Sequence, residues 1–196
     1  MSTKELIKEN SITLFAEHGY KGTAINDIAN AVGIKKGSFY GHYGSKEELF
    51  LELLKEEVSK FLNLVESYNI VIHDKSIMEK LYLLFKKEVE YLNKNKASCK
   101  FLMRFTFSPS AEIKTIINNN LEIGLMRKQI NDCNRSIFIC AIEEGEIANN
   151  DVEELIESFF WLVNTTVIKS LVYNKNYKEE DIKKIWYYYI NGVKGT

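Results

Sequence analysis

Gly33-Ile-Lys-Lys-Gly-Ser-Phe-Tyr-Gly-His-Tyr-Gly-Ser-Lys46 is the stretch on which the reading of this chain turns. It holds three lysines, one histidine and two tyrosines and no acid, whereas lysine and glutamate are mixed elsewhere. It follows Thr23-Ala-Ile-Asn-Asp-Ile-Ala-Asn-Ala-Val32, a short amphipathic run with Ile25, Ile28, Ala29 and Val32 on one face. A helix, a glycine turn at Gly33 and a short basic, aromatic helix over about residues 36–42 have the layout of a helix-turn-helix that reads DNA.

Upstream, Ser2 and Glu5 have capping-box spacing and open a first helix, with Ile7, Ser11, Leu14 and Phe15 inward and Gly19 as its C′ glycine. Thr23 or Ala24 starts the second helix. Downstream, Ser45 and Glu48 form another capping box, and Leu49, Phe50, Leu53, Leu54 and Val58 follow at helical spacing. Ile77, Leu81, Leu84, Phe85, Val89 and Leu92 mark a further amphipathic face. Residues 97–107 form a short apolar and aromatic helix, and Ser108-Pro109 places a cap and an N1 proline before the next. That helix passes Ile113, Ile117 and Leu121 and continues, with a break, towards Glu144; Gly145 interrupts it. Asn150 and Glu153 offer a cap for a long helix to about Asn174, and a last helix covers about 179–191. One proline and few glycines among many Leu, Ile, Lys and Glu residues agree with an all-α chain.

A net charge of −1 excludes a protein that coats nucleic acid by bulk charge, so DNA binding must come from a local patch. Six lysines face six acids in the first fifty residues, so phosphate contacts per subunit are few. A homodimer that sets two readers about 34–36 Å apart is the natural source of affinity. No run of 18 apolar residues predicts a membrane span. The first residues lack the pattern of a signal peptide, which predicts a cytoplasmic chain. Cys99, Cys133 and Cys140 are odd in number and show no close pair; they read as reduced, buried, small apolar side chains, with redox sensing or metal binding as the alternative. His18, His42 and His73 share no spacing with each other or with the cysteines. With no nucleophile–base pair, metal spacing or phosphate-binding loop, the chain reads as no enzyme, with no metal and no cofactor. The acids at Glu143, Glu144, Glu146, Asp151, Glu153, Glu154 and Glu157 read as a solvated face.

Leu14-Phe15, Gly19-Tyr20, Thr23, Asp27-Ile28-Ala29, Gly33, Lys36-Gly37, Phe39-Tyr40, His42-Tyr43 and Ser45-Lys46-Glu47, with Leu49, together resemble the TetR family of bacterial transcriptional regulators over about residues 5–55. The resemblance implies a helix-turn-helix DNA-binding domain over 1–46. It also implies a helical regulatory, ligand-binding and dimerisation domain over 47–196. It implies DNA contact at Lys36, Gly37, Ser38, Tyr40, His42 and Lys46. Lys36 can reach a phosphate or a guanine edge, Ser38 a base or phosphate, and the tips of Tyr40 and His42 can set register on phosphates. Gly37 lets the backbone approach the duplex. Thr23 is placed to cap the second helix and touch backbone phosphate, and Lys35 adds a charge nearby. Phe39 and Tyr43 read as core, Tyr20 as a plug behind Gly19, and His42 equally as a C-terminal cap. The chain departs from the family pattern at Lys35, where a Ser or Thr cap is common, and at Ala24 and Gly41.

Residues 155–172 are apolar nearly all round and need cover on several sides. The resemblance implies that this helix and the last one pack against their copies as a four-helix bundle, with Phe159, Val163, Val167, Trp186 and Tyr189 at the interface. It also implies a small-molecule pocket among the aromatic central helices, built from Tyr82, Phe101, Arg104, Phe105, Phe107 and Trp161. Arg104 would hold a ligand carboxylate or phosphate; the alternative is that it points outwards or pairs with a glutamate. The function expected is a repressor that binds a palindromic operator in double-stranded DNA and releases it when a small lipophilic or aromatic effector binds. The alternatives are an activator, a regulator controlled by a protein partner, and a helical enzyme.

Overall fold

The computed structural model describes residues 2–71, 75–148, 151–173 and 175–193, and within them all side chains but those of 68–71 and 193. Its regular structure is helical throughout: α1 (Thr3–Gly22), α2 (Ile25–Val32), α3 (Lys36–Tyr40), α4 (Lys46–Val71), α5 (Ile77–Lys94), α6 (Lys96–Phe107), α7 (Ala111–Asn118), α8 (Leu121–Glu143), α9 (Val152–Tyr173) and α10 (Glu179–Val193). The helices form two compact units, residues 1–60 with 95–126, and 61–94 with 127–196.

In the first unit, Ser2 and Glu5 cap α1 reciprocally: Glu5 N donates to Ser2 Oγ at 3.2 Å and Ser2 N to Glu5 Oε2 at 2.6 Å. Gly19 breaks the helix at φ +74°, yet the helix resumes through Gly22 rather than ending there. The second helix is capped at Ala24, not Thr23; Asp27 Oδ2 reaches back to accept from Ala24 N at 2.8 Å. Gly33 sits at φ +76°, a left-handed cap that a glycine adopts without strain. At α4, Glu48 N donates to Ser45 Oγ at 3.0 Å, while the Glu48 carboxylate takes the N–H of Gly44, one residue before the cap.

The unit's core is aromatic. Phe15 and Phe50 meet edge to face at 5.6 Å, and Phe50 lies 5.7 Å from Phe101 and 4.8 Å from Phe105. Such pairs add about 0.5–1.5 kcal/mol each beyond the area they bury. The inward face of α6 therefore completes the core beneath the helix-turn-helix. Ser110, not Ser108, caps α7, so Pro109 lies before the cap rather than at N1; the proline's fixed φ leads the chain into the cap instead of starting the helix.

In the second unit, α5 buries Ile77, Leu81, Leu84, Phe85, Val89 and Leu92, the face the sequence marks. Phe85 stacks on Trp186 of α10 at 5.9 Å and meets Phe159 of α9 at 6.5 Å. Asp151 Oδ1 accepts from Glu153 N at 2.8 Å at the start of α9; Asn150, the expected cap, and Asn174, the expected end, lie outside the described residues, as does His73. Among the described residues α9 is the one helix long and apolar enough to cross a bilayer by length and composition. Leu155, Phe159, Val163 and Val167 use part of that apolarity inside the unit.

Candidate functional site

The helix-turn-helix presents a surface sorted by burial. Phe39 and Tyr43 are fully buried, with rings 5.8 Å apart, and anchor α3. Burial, with the nearby Glu52 carboxylate, pushes the Tyr43 phenol above its ordinary range. Around these anchors Lys35, Lys36, Gly37, Ser38, Tyr40, Gly41 and His42 are all exposed. Among the described residues no hydrogen bond or ion pair holds the side chains of Lys35, Lys36, Ser38, Tyr40 or His42. Tyr40 is 49% exposed, an unusual position for a large aromatic ring. Lys35 occupies the N-cap of α3 without a side-chain cap bond, and the helix stops at Tyr40, two residues earlier than the sequence suggests, in a turn at Gly41.

Gly37 has no conformational reason to be glycine. Its φ is not positive, and a Cβ built there meets nothing within 4 Å. Glycine inside a helix costs about 0.5–1 kcal/mol relative to alanine. The open space above residue 37 is on the surface that the exposed lysines share.

Two residues expected at the DNA surface are placed otherwise. Thr23 is fully buried and donates its hydroxyl to Gly19 O at 2.8 Å, with Leu14 O at 3.2 Å, closing the kink of α1 instead of capping α2. Lys46 is half-buried; its Nζ donates to Tyr20 O at 2.7 Å and Thr23 O at 2.8 Å and lies 4.3 Å from the Tyr20 ring centroid. Burial lowers its pKa. Both residues tie α4 to the α1–α2 turn. Lys4 and Lys8 pair with Glu52, Lys8 also with Glu56, and Lys21 lies 3.6 Å from Glu112. Of the six lysines in the first fifty residues, Lys35 and Lys36 are the pair without a protein partner among the described residues.

The residues expected to gather around a ligand divide between the two units. Phe101 and Phe105 belong to the first unit's core. Arg104 donates from Nη1 to Ala16 O and Glu17 O at 3.2 Å each, and so serves the carbonyl end of α1. Phe107 is 38% exposed. Tyr82 lies in the second unit, 6.0 Å from Trp186, and Trp161 is 48% exposed on α9. A helical aromatic stripe looks the same in sequence whether it lines a pocket or fills a core, and α6 fills a core.

A cavity of about 290 Å³ lies within the second unit. Phe61, Leu92, Ile130, Ile156, Phe159 and Val163 supply its apolar wall, and Glu88, Asn131, Asn134, Glu153 and Glu157 its polar groups. Glu88 is 3% exposed, and burial pushes its carboxyl up to about 8. Glu153 and Glu157 are exposed, as expected of a solvated acidic face, and also line this cavity. The signal that could have found Glu88 is its place in the apolar face of α5, directly before Val89.

The residues expected at a dimer interface have partners within the chain. Phe159, Val163 and Val167 are buried within the chain, at 2%, 3% and 0% exposure. Trp186 stacks on Phe85, and the Tyr189 hydroxyl lies 3.0 Å from Ser158 Oγ. The same two helices expose other large apolar side chains: Trp161, Ile168 and Val172 on one face of α9, and Tyr187 and Tyr188 on α10. Cys99 is buried, with its thiol pushed up to about 12 by desolvation, but Cys140 is exposed rather than buried.

Residues 7–53 match the family model described as bacterial regulatory proteins, tetR family. Over 60 residues the chain is 43% identical to the biofilm operon icaADBC HTH-type negative transcriptional regulator IcaR of Staphylococcus epidermidis, covering 31% of this chain and 32% of that protein. The chain thus matches about a third of the length of these curated relatives. Its fold extends further. The ketosteroid transcriptional regulator KstR2 of Mycobacterium tuberculosis is similar at a TM-score of 0.74 and 21% identity, over 100% of this chain and 96% of that one. The regulator FadR of Bacillus subtilis, in complex with stearoyl-CoA, is similar at 0.72 and 20% identity, over 96% and 98%.

Proposed function

We propose that this chain, which belongs to the TetR family of bacterial regulatory proteins through residues 7–53, is a homodimeric, ligand-responsive transcriptional repressor of the cytoplasm. The observation that carries the reading is the uncommitted surface of α3: Lys35, Lys36, Ser38, Tyr40 and His42 exposed around Gly37, on two buried aromatic anchors. Lys35 and Lys36 supply the charge for phosphate, Ser38 and Tyr40 the hydrogen-bonding tips, and Gly37 the clearance. Thr23 and Lys46 hold the reader in place. Residues 1–46 are its DNA-binding domain and 47–196 its regulatory domain.

The exposed stripe of Trp161, Ile168 and Val172, with Tyr187 and Tyr188, supports the dimer, because a face of that size calls for cover. Two subunits would present two readers to the halves of a palindrome. The effector site is the second unit's cavity. Its apolar wall suits a lipophilic molecule. Part of α4, Phe61, lines the cavity, and the same helix begins at Lys46 beside the reader, so a shift of α4 on ligand binding would change the spacing of the two readers.

Transcript levels of the genes beside its own, compared with and without the chain, test the reading. A repressor raises them when removed; a fall identifies an activator, and no change removes the regulatory claim.

A further inference from the structure

The cavity of the second unit has an asymmetric chemistry. Its wall contributes three carboxyl groups, from Glu88, Glu153 and Glu157, and no lysine, arginine or histidine. The three come from two helices, Glu88 from α5 and the others from α9. Glu153 is already paired with Arg135, and Glu157 accepts from Trp161 Nε1 at 3.3 Å. Glu88 differs from both. Among the described residues no hydrogen bond or ion pair reaches it, and burial alone acts on its carboxyl. Asn134 Oδ1, on α8, is buried on the same cavity without a donor. Buried acceptors left without donors are costly, at roughly 1–3 kcal/mol each. Asn134 Oδ1 and the Glu88 carboxyl line one space beside the rings of Phe61, Phe159 and Phe160.

We infer that this cavity takes a small lipophilic cation, an organic ammonium whose charge is met by Glu88 and whose apolar body lies against the phenylalanines. The inference rests on the reading of the cavity as the effector site and gives that effector its charge. A carboxylate in a low-dielectric site attracts an ammonium strongly, and aromatic faces add to the attraction. The same groups repel an anion. A neutral body of equal size gains nothing from the ionised Glu88.

The buried carboxyl adds a signature. In the empty cavity Glu88 holds its proton below about pH 8, so a permanent cation must displace that proton to bind. The other charged groups facing the cavity are Glu153, paired with Arg135, and Glu157. Affinity for the cation therefore rises by up to about tenfold per pH unit as pH approaches 8.

Calorimetric titration of the full chain with three probes tests this: benzyltrimethylammonium, 3-phenylpropanol and 3-phenylpropionate. At pH 8.5 the cation binds at least about tenfold more tightly than the alcohol, the carboxylate binds most weakly, and the cation weakens at pH 6.5. Glu88→Gln, a neutral near-isostere, removes the preference for the cation and its pH dependence. Val163→Trp fills the cavity and abolishes binding of all three probes. Unchanged melting, or retained operator binding, identifies a folded variant. The inference is overturned if the carboxylate binds as tightly as the cation, if the cation shows no binding, or if folded Glu88→Gln keeps the preference. Cation binding that leaves operator binding intact would uphold the site and remove the ligand-responsive part of the function; operator binding without cation binding would do the reverse.

Discussion

Arg104 lies so close to Gly19 that a Cβ on residue 19 would stand 2.8 Å from the guanidinium Nη2. The guanidinium sits where α1 first breaks and donates to the carbonyls of Ala16 and Glu17, which the break at Gly19 leaves open. Two sequence features that look unrelated, a glycine near residue 20 and a cation in an aromatic run, are two halves of one helix terminus. Gly19→Ala meets both a left-handed φ and this guanidinium, and should lower stability by about 1–3 kcal/mol, roughly 2–12 °C in melting temperature. Arg104→Met should cost about 1 kcal/mol, as for a lost cap. In the double variant the two losses should fall short of their sum, because the clash disappears with the guanidinium. Additive losses would contradict the account.

Lys46 is a brace in this structure, holding the carbonyls of Tyr20 and Thr23. Lys46→Met should lower the melting temperature and weaken DNA binding while leaving the salt dependence of that binding unchanged. If Lys46 instead neutralises a phosphate, the slope of log K against log salt falls by about 0.9 per subunit.

The number of phosphates engaged follows from which lysines are uncommitted. Lys35 and Lys36 of two subunits give about four contacts and a salt slope near −3.6, from titrations at several salt concentrations. A slope near −7 would require Lys21 and Lys46 to leave their partners as well.

Gly37→Ala separates stability from function. Nothing in the fold opposes a methyl group there, so the variant should be more stable by about 0.5–1 kcal/mol. DNA binding should fall sharply, because the added group lies on the approach to the duplex. Full retention of binding would show that the duplex does not come near residue 37.

Glu88 makes stability fall as pH rises. Its carboxyl titrates at about 8 in the folded chain against 4.5 as the ordinary value, so the folded state holds the extra proton between these limits. The unfolded state binds fewer protons across that window, and unfolding becomes easier from about pH 4.5 to pH 8. Glu88→Gln should remove this slope and be more stable than the parent at pH 8.5 by urea denaturation.

The helices and the reader's anchors were legible because local chemistry sets them. Ser2–Glu5 and Ser45–Glu48 are short-range caps, and Phe39 and Tyr43 fall on the inward side of a three-helix pattern. Placement that depends on tertiary packing was not legible. Whether Phe101 and Phe105 line a cavity or fill a core depends on which helices face them, and those are α1, through Phe15, and α4, through Phe50. Phe159, Val163 and Val167 differ from Trp161, Ile168 and Val172 only in which side of an all-apolar helix they occupy. Lysines also look alike in sequence: the resemblance implies DNA contact at both Lys46 and Lys36, yet Lys46 finds two carbonyls within the chain and Lys36 finds none among the described residues.

Footprinting of the purified chain on the DNA that flanks its own gene tests the central claim most directly. The account predicts one protected palindrome with half-sites about one helical turn apart, lost in folded Lys36→Ala and Tyr40→Ala variants. Absence of any protected palindrome, or protection that survives both substitutions, would contradict it.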